Sequence, residues 1–320
     1  MRRLLRPLLE RAIETPRFRG MVAGMLGRHL GEIDRDFLRS IPDGVTVDLD
    51  RQLEQERREP GLPSVLWSIL WEASAARALG DSVRKRVHFT LRGQRFTMEL
   101  DLAESPECGY LLRNPTVHLT QLLAGFAGRG RTMLDVGANV GFHALSAGLF
   151  FRRVVAFEPT PATAARLERN VMASALRHID VRRCALSNRN GEADLVVDRG
   201  HCGANRLDGA AASAGERVKV PLRRLDDLVR EAPAAMGRID FVKIDVEGHE
   251  CEVLEGGLDT INHDRPQLFV EFNTAAQFDR FRSTLPHGYR AVRPNLDGRH
   301  EPIKDGHEAG VARDVLFLVA

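Results

Sequence analysis

The sequence predicts a doubly wound α/β fold with a mostly parallel sheet, preceded by an N-terminal helical region and a β-hairpin. Three observations predict it. From residue 131 onward, short apolar runs alternate with helical patterns, the signature of strands joined by crossover helices. Several of these runs end on glycine or acidic residues, where open sheets of this kind bind ligands. Before residue 125 the texture differs, with helical spacing and one alternating hairpin signal.

With 320 residues, about two folding units are expected. The chain is 43% apolar and 28% charged, so it has the composition of an ordinary globular protein. Its 46 basic and 44 acidic residues leave +2, which gives no global reason to expect nucleic-acid binding. Cys108, Cys184, Cys202 and Cys251 are scattered without a C-x-x-C pair, which argues against a disulfide framework or zinc cluster. They read as small apolar residues in a reducing compartment, and the expected location is cytoplasmic.

The first 30 residues carry seven arginines against Glu10 and Glu14, with no apolar h-region or small-residue cleavage site. Leu4, Leu5, Leu8, Leu9 and Ile13 repeat at helical spacing. A helix peripheral to a membrane is one reading. Pro7 and Pro16 interrupt the pattern, which favours a helix docking on the domain or on a second subunit, so a homo-oligomer is also in view. No apolar run is long enough to span a bilayer.

The expected division is 1–80 helical region, 81–125 hairpin and helix, and 126–320 main domain. Trp67 and Trp71, at i,i+4, read as packing on one helix face. Segments 83–91 and 95–100 alternate apolar and polar residues around Arg92-Gly93-Gln94, a hairpin signal, and 110–126 reads helical. Strands are expected at 132–136, 153–157, 181–186, 191–197, 217–222, 239–244, 267–272, 289–293 and 315–319. Helices are expected at 141–149, 160–174, 249–254 and 274–283. The second of these opens on Thr160-Pro161, a cap residue followed by proline at the first helical position. A Gly/Ala/Ser-rich loop is read at 200–215.

Four strand ends carry the candidate chemistry. The first is Asp135-Val136-Gly137-Ala138-Asn139-Val140-Gly141. Gly137 and Gly141 permit a tight turn and close approach to a ligand, and Asn139 tolerates a left-handed backbone. The spacing is G-x-x-x-G, not the dinucleotide G-x-G-x-x-G. An acid at the turn suits a ligand with a cationic end. The second is Glu158, about 20 residues on, placed to accept hydrogen bonds from ribose hydroxyls. The third is Ser187-Asn188, short polar groups able to meet an adenine or simply to form a turn. The fourth delivers Lys243, Asp245, Glu247, His249 and Glu250 within eight positions. Acids so close should raise at least one carboxyl pKa, while Lys243 opposes that.

The segments LDVGANVGFHAL (134–145), AFEPTP (156–161), LRRLDDL (222–228), IDFVKIDVEGHECEVLEGG (239–257) and QLFVEFN (267–273) resemble the FkbM family of class I S-adenosylmethionine-dependent methyltransferases. The resemblance runs from about residue 130 to the C-terminus. It implies a Rossmann-like methyltransferase sheet, with S-adenosylmethionine as cofactor and a methyl acceptor that is a hydroxyl of a small molecule, sugar or glycolipid. Asp135, Gly137, Ala138, Asn139 and Gly141 would line the methionine side, and Glu158 would hold the ribose. Ser187 would lie near the adenine, where the family carries an acid. Asp245 and Glu247 would sit near the transferred methyl, and Asp245, Glu247 and His249 are the candidate catalytic bases. No metal ligand set is assigned, although a carboxylate cluster could instead use Mg²⁺. Weighed beside this are an NAD-dependent oxidoreductase, disfavoured by the glycine spacing, a non-catalytic adenosine-ligand scaffold, and a nucleic-acid methyltransferase, disfavoured by the charge balance.

Overall fold

The computed structural model describes residues 39–58, 82–102, 105–112, 116–197, 206–207 and 216–319. The arginine-rich leucine pattern of the first 30 residues, Trp67, Trp71 and Cys202 lie outside the described residues, as does most of the 200–215 loop. No described helix is long and apolar enough to cross a membrane.

The strands are β1 (Val45–Asp48), β2 (Arg84–Leu91), β3 (Gln94–Asp101), β4 (Gly130–Val136), β5 (Phe151–Phe157), β6 (Ile179–Arg182), β7 (Ala185–Leu186), β8 (Gly191–Val197), β9 (Arg206–Leu207), β10 (Glu216–Arg223), β11 (Ile239–Ile244), β12 (Gln267–Glu271), β13 (Tyr289–Arg293), β14 (Glu301–Pro302) and β15 (Asp314–Val319). The helices are α1 (Leu49–Arg58), α2 (Ser105–Leu112), α3 (Val117–Ala124), α4 (Phe142–Gly148), α5 (Pro161–Ser174), α6 (Leu225–Glu231), α7 (Pro233–Met236), α8 (Glu250–Gly256), α9 (Leu258–Asp264), α10 (Ala275–Thr284) and α11 (Gly306–Ala312).

The main sheet runs β14-β13-β15-β12-β11-β4-β5-β6. The pairs from β12 to β6 are parallel, and β15 lies antiparallel between β12 and β13. From β4 the chain winds outward through β5 and β6, and from β11 it winds the other way. The switch therefore falls between β4 and β11, and a crevice opens at their carboxyl ends.

Side-chain alternation explains why the sheet is covered on both faces. Met133, Val154, Phe241 and Phe269 join one hydrophobic core with Leu145, Ala147 and Leu167 of α4 and α5. Their strand neighbours Leu134, Val155, Val242 and Leu268 join a second core with Leu254, Ile261 and Phe278 of α8, α9 and α10. A period of two thus feeds two apolar layers, which a strand exposed on one side could not do.

The hairpin closes through a two-residue turn with positive φ at Arg92 (51°) and Gly93 (74°), which matches the twist of the paired strands. It packs on the first core. Phe89 and Phe96 lie 5.3 and 5.9 Å from the Phe142 ring, and Tyr110 stacks on Phe142 at 4.0 Å. The Thr97 and Glu99 amides donate to Ser174 Oγ and Asn170 Oδ1 of α5. At the hairpin's end, fully buried Glu107 holds Arg166 with two bonds of 2.6 Å.

Several elements differ from expectation. The helix read at 110–126 is two helices, α2 and α3. The strand read at 181–186 divides: β6 stays in the main sheet, while β7 joins β10, β8 and β9 in a separate four-stranded sheet. The helix read at 249–254 extends to Gly256 and is followed by α9. Strand β1, which pairs parallel with β2, falls within the region read as helical, and β9 falls within the expected loop. Cys184 and Cys251 are buried free thiols, and burial pushes both pKa values up to about 11.

Candidate active site

The first strand end folds back on the sheet. The Gly137 and Ala138 amides donate to the Phe157 carbonyl at 3.1 and 3.0 Å. Gly137, Asn139 and Gly141 have φ of 78°, 50° and 100°, so the left-handed tolerance read at Asn139 is used. The two glycines answer to protein packing. A Cβ at Gly137 would lie 1.9 Å from the Asp245 carbonyl oxygen, and one at Gly141 would lie 2.2 Å from Leu167 Cδ1. Gly137, Ala138 and Asn139 line a cavity of about 490 Å³, whereas Gly141 is not among its lining residues.

Glu158 closes β5 and reaches under this bend. Its carboxylate accepts from the Asn139 amide at 3.0 Å and the Thr160 amide at 2.9 Å. Burial pushes its pKa up against those bonds. Each oxygen holds one backbone donor, and Glu158 lines the cavity.

Asp135 lies beneath the cavity and is fully buried, not among its lining residues. In the β4–β11 register it sits opposite Lys243, whose Nζ is 3.4 Å from Asp135 Oδ1, 3.2 Å from Asp245 Oδ2 and 2.7 Å from the Gly137 carbonyl oxygen. Burial alone would lower the lysine pKa. The two carboxylates outweigh it and hold Lys243 above its ordinary value. Asp135 is thus already answered by an internal cation, and its approach to a ligand's ammonium runs through Lys243.

The turn after β11 sends its residues in different directions. Glu247 has φ of 52° and accepts from Asn273 Nδ2 at 3.2 Å. Glu250 turns inward, accepting from the Gly248 amide at 3.0 Å, and so locks the turn. Asp245, Glu247, Glu271 and Asn273 line one end of the cavity. Asp245 foremost, then burial, Asp314 and Glu247, raise the Glu271 pKa to about 8. Burial and then Asp245 raise Asp314 to about 7.

His249 departs from this cluster. Its Nε2 shares a 3.0 Å hydrogen bond with Ser187 Oγ, and its Nδ1 lies 3.6 Å from Glu252. Burial lowers its pKa despite that acid. His249 lines the cavity beside Cys184, Ala185 and Leu186, while Ser187 stands behind it. The three candidate bases therefore divide: Asp245 and Glu247 lie with Glu271, and His249 lies with Ser187. Among the described residues, no group of three or more His, Cys, Asp or Glu side chains is arranged to hold a metal ion.

The sequence reading passed over several lining residues. His143 shares a 2.6 Å hydrogen bond with Thr116 Oγ1, and burial together with Lys243 holds its pKa well below the ordinary value. Tyr110 and Thr116 arrive from before β4, and Arg313 from just before β15. Glu271 and Asn273 had a usable signal. They end the apolar run of β12, in the sheet position next to Asp245, where strand ends carry ligands. Tyr110, Thr116 and Arg313 had none, because the sheet order brings them in from distant sequence.

A sheet with its reversed strand set between β12 and β13, a glycine bend after its central strand and an acid ending the next define a Rossmann-like methyltransferase fold. Residues 135–291 match the family model described as the Methyltransferase FkbM domain, and this part of the chain is an FkbM-family methyltransferase domain. The methyltransferase sdnD of Sordaria araneosa is 31% identical, over 39% of this chain and 59% of its own. The 2-O-methyltransferase NoeI of Sinorhizobium fredii is 29% identical, over 51% of this chain and 72% of its own. The hexuronic acid methyltransferase AglP of Haloferax volcanii is 32% identical, over 42% and 54%. The chain thus spans little more than half the length of sdnD and AglP. A crystal structure titled methyltransferase FkbM, from Methylobacillus flagellatus, aligns at 18% identity with a TM-score of 0.37, over 59% of this chain and 43% of that one.

Proposed function

We propose that this protein transfers the methyl group of S-adenosylmethionine to a hydroxyl oxygen of a small molecule, with sugar hydroxyls as the first class to test. The observation that carries the reading is the cavity itself. It is floored by the glycine bend, with Glu158 in its wall and the Asp245–Glu247–Glu271 carboxylates at one end. Its volume of about 490 Å³ lies in the ordinary range for small-molecule sites. The names of NoeI and AglP, a 2-O-methyltransferase and a hexuronic acid methyltransferase, support oxygen and sugars.

The donor supplies an electrophilic methyl carbon on a cationic sulfur. The residues of the chain bind and align. Glu158 accepts the Asn139 and Thr160 amides and the Thr160 hydroxyl, which leaves a carboxylate lone pair for the ribose. Gly137, Ala138 and Asn139 form the wall along the methionine portion. Ala185 and Leu186, with His249 held by Ser187, form the adenine end. Asp245, steadied by Lys243, sets a negative potential where the cationic sulfur would lie. Most of the gain from such a site is alignment of acceptor oxygen, methyl carbon and sulfur.

Radiolabelled methyl transfer from S-adenosylmethionine tests the reading, with glycosides, glycolipids and polyketide-like alcohols as acceptors and mass spectrometry of the product. Label in a methyl ether is expected. Calorimetry showing NADH bound and S-adenosylhomocysteine not bound would overturn it in favour of an oxidoreductase.

A further inference from the structure

We propose that Glu271 is the base that takes the proton of the acceptor hydroxyl, a role that rests on the methyl-transfer reading above. Glu271 is the last residue of β12, between β11 and β15. The register sets Val270 beside Ile244 and Glu271 beside Asp314, so Asp245 and Asp314 flank it from the two neighbouring strands. It lines the cavity at the end carrying Asp245, Glu247 and Asn273.

The other candidates are committed elsewhere. The Asp245 carboxylate pairs with Lys243 at 3.2 Å. The Glu247 carboxylate accepts the Asn273 amide. His249 is tied to Ser187 at the other end. Glu271 faces the cavity with no hydrogen bond to its carboxylate among the described residues. A base needs both an open lone pair and a proton affinity near the working pH. The acids around Glu271 provide the second, with Asp245 first, then Asp314 and Glu247, and with Arg313 opposing them. The resulting value of about 8 is far above an ordinary glutamate and close to that of an efficient general base.

The step balances without a further reactant. A lone pair on the acceptor oxygen forms the new C–O bond as the C–S bond breaks. The electrons of the broken bond stay on sulfur, which becomes a neutral thioether. The hydroxyl proton passes to a Glu271 carboxylate oxygen and is later released to solvent.

The test compares the wild type with Glu271→Gln and Glu271→Asp. p-Nitrophenyl glucoside and p-nitrophenyl glucuronide serve as acceptors, and S-adenosylhomocysteine affinity is read by calorimetry. Glu271→Gln should lower kcat by about 10²–10⁴-fold while S-adenosylhomocysteine binds within about twofold of wild type. Glu271→Asp should restore part of the rate, and the wild-type rate should rise through about pH 8. Carbon-13 titration of the Glu271 carboxyl, assigned by its loss in Glu271→Gln, needs no acceptor. Its midpoint should lie near that value and fall in Asp245→Asn. A midpoint near the ordinary value of about 4.3, or full turnover by Glu271→Gln, overturns the role. Wild-type protein that fails to bind S-adenosylhomocysteine overturns the cavity reading itself, which is a separate result.

Discussion

Lys243 and Asp135 face each other across the β4–β11 register, 3.4 Å apart and both buried, at the point where the sheet changes winding direction. The lysine also holds the Gly137 carbonyl. One buried cation therefore ties together the two strand ends that shape the cavity floor. Replacing it with Lys243→Met leaves Asp135 buried without its counter-charge. The expected cost is about 3–5 kcal/mol, read by urea denaturation. The double variant Lys243→Met/Asp135→Asn should recover much of that loss. If the double variant were less stable than Lys243→Met, the pair would not be the source of the effect.

Two glycines of similar φ separate backbone strain from crowding. Gly93 (φ 74°) has open space where a Cβ would go, whereas Gly137 (φ 78°) has the Asp245 carbonyl oxygen at 1.9 Å. Gly93→Ala should cost about 1–2 kcal/mol, the left-handed penalty alone. Gly137→Ala should cost several kcal/mol in total and abolish S-adenosylhomocysteine binding. Equal melting temperatures for the two variants would count against this account.

Glu158→Ala removes the acceptor for the Asn139 and Thr160 amides as well as the proposed ribose contact. Stability should fall by about 1–3 kcal/mol for each amide left buried and unpaired. S-adenosylhomocysteine affinity should fall at least about tenfold, the equivalent of one lost hydrogen bond to a charged group. A loss of stability with unchanged affinity would confine Glu158 to a structural role.

The acid end of the cavity makes stability depend on pH. Glu271 and Asp314 have folded pKa values of about 8 and about 7, above their unfolded values. Between those limits the folded state binds more protons than the unfolded chain, so stability falls as pH rises. The histidines with lowered pKa values, His118, His143, His249 and His300, contribute nothing further above about pH 7. Melting temperature should therefore drop from pH 7 to pH 9, and Glu271→Gln should flatten that drop. A wild-type melting temperature that rises over this interval would contradict the assignment.

Much of the fold was legible in the sequence because the signals were local. The run Ile239–Ile244 is apolar and bounded, and it is a strand at those limits. Thr160-Pro161 opens α5 where a cap and a first-turn proline should. Failures occurred where tertiary pairing overrides local pattern. Nothing between residues 181 and 186 announces that β6 and β7 belong to different sheets. β1 has only four residues and is defined by β2 beside it. At the site, the sequence reading found the two glycine-and-acid strand ends but placed His249 among the bases. The bend at Glu247 and Gly248, both with positive φ, carries the imidazole to Ser187 instead. Glu271 lay in a segment read as a strand and matched to the family, but without a role, since its distinguishing property comes from neighbours on two other strands.

The reversed strand β15 has a practical consequence. The family-matched span ends at residue 291, inside β13, yet β15 is the strand that joins β13 to β12. On the opposite side, Tyr110 and the hairpin phenylalanines cover Phe142, the residue that follows the glycine bend. A recombinant fragment cut to 135–291 would lose β15 and nearly all of the central strand β4 and strip one aromatic lid, inviting aggregation. The segment that sequence similarity delimits is thus shorter than the piece that could be expressed alone.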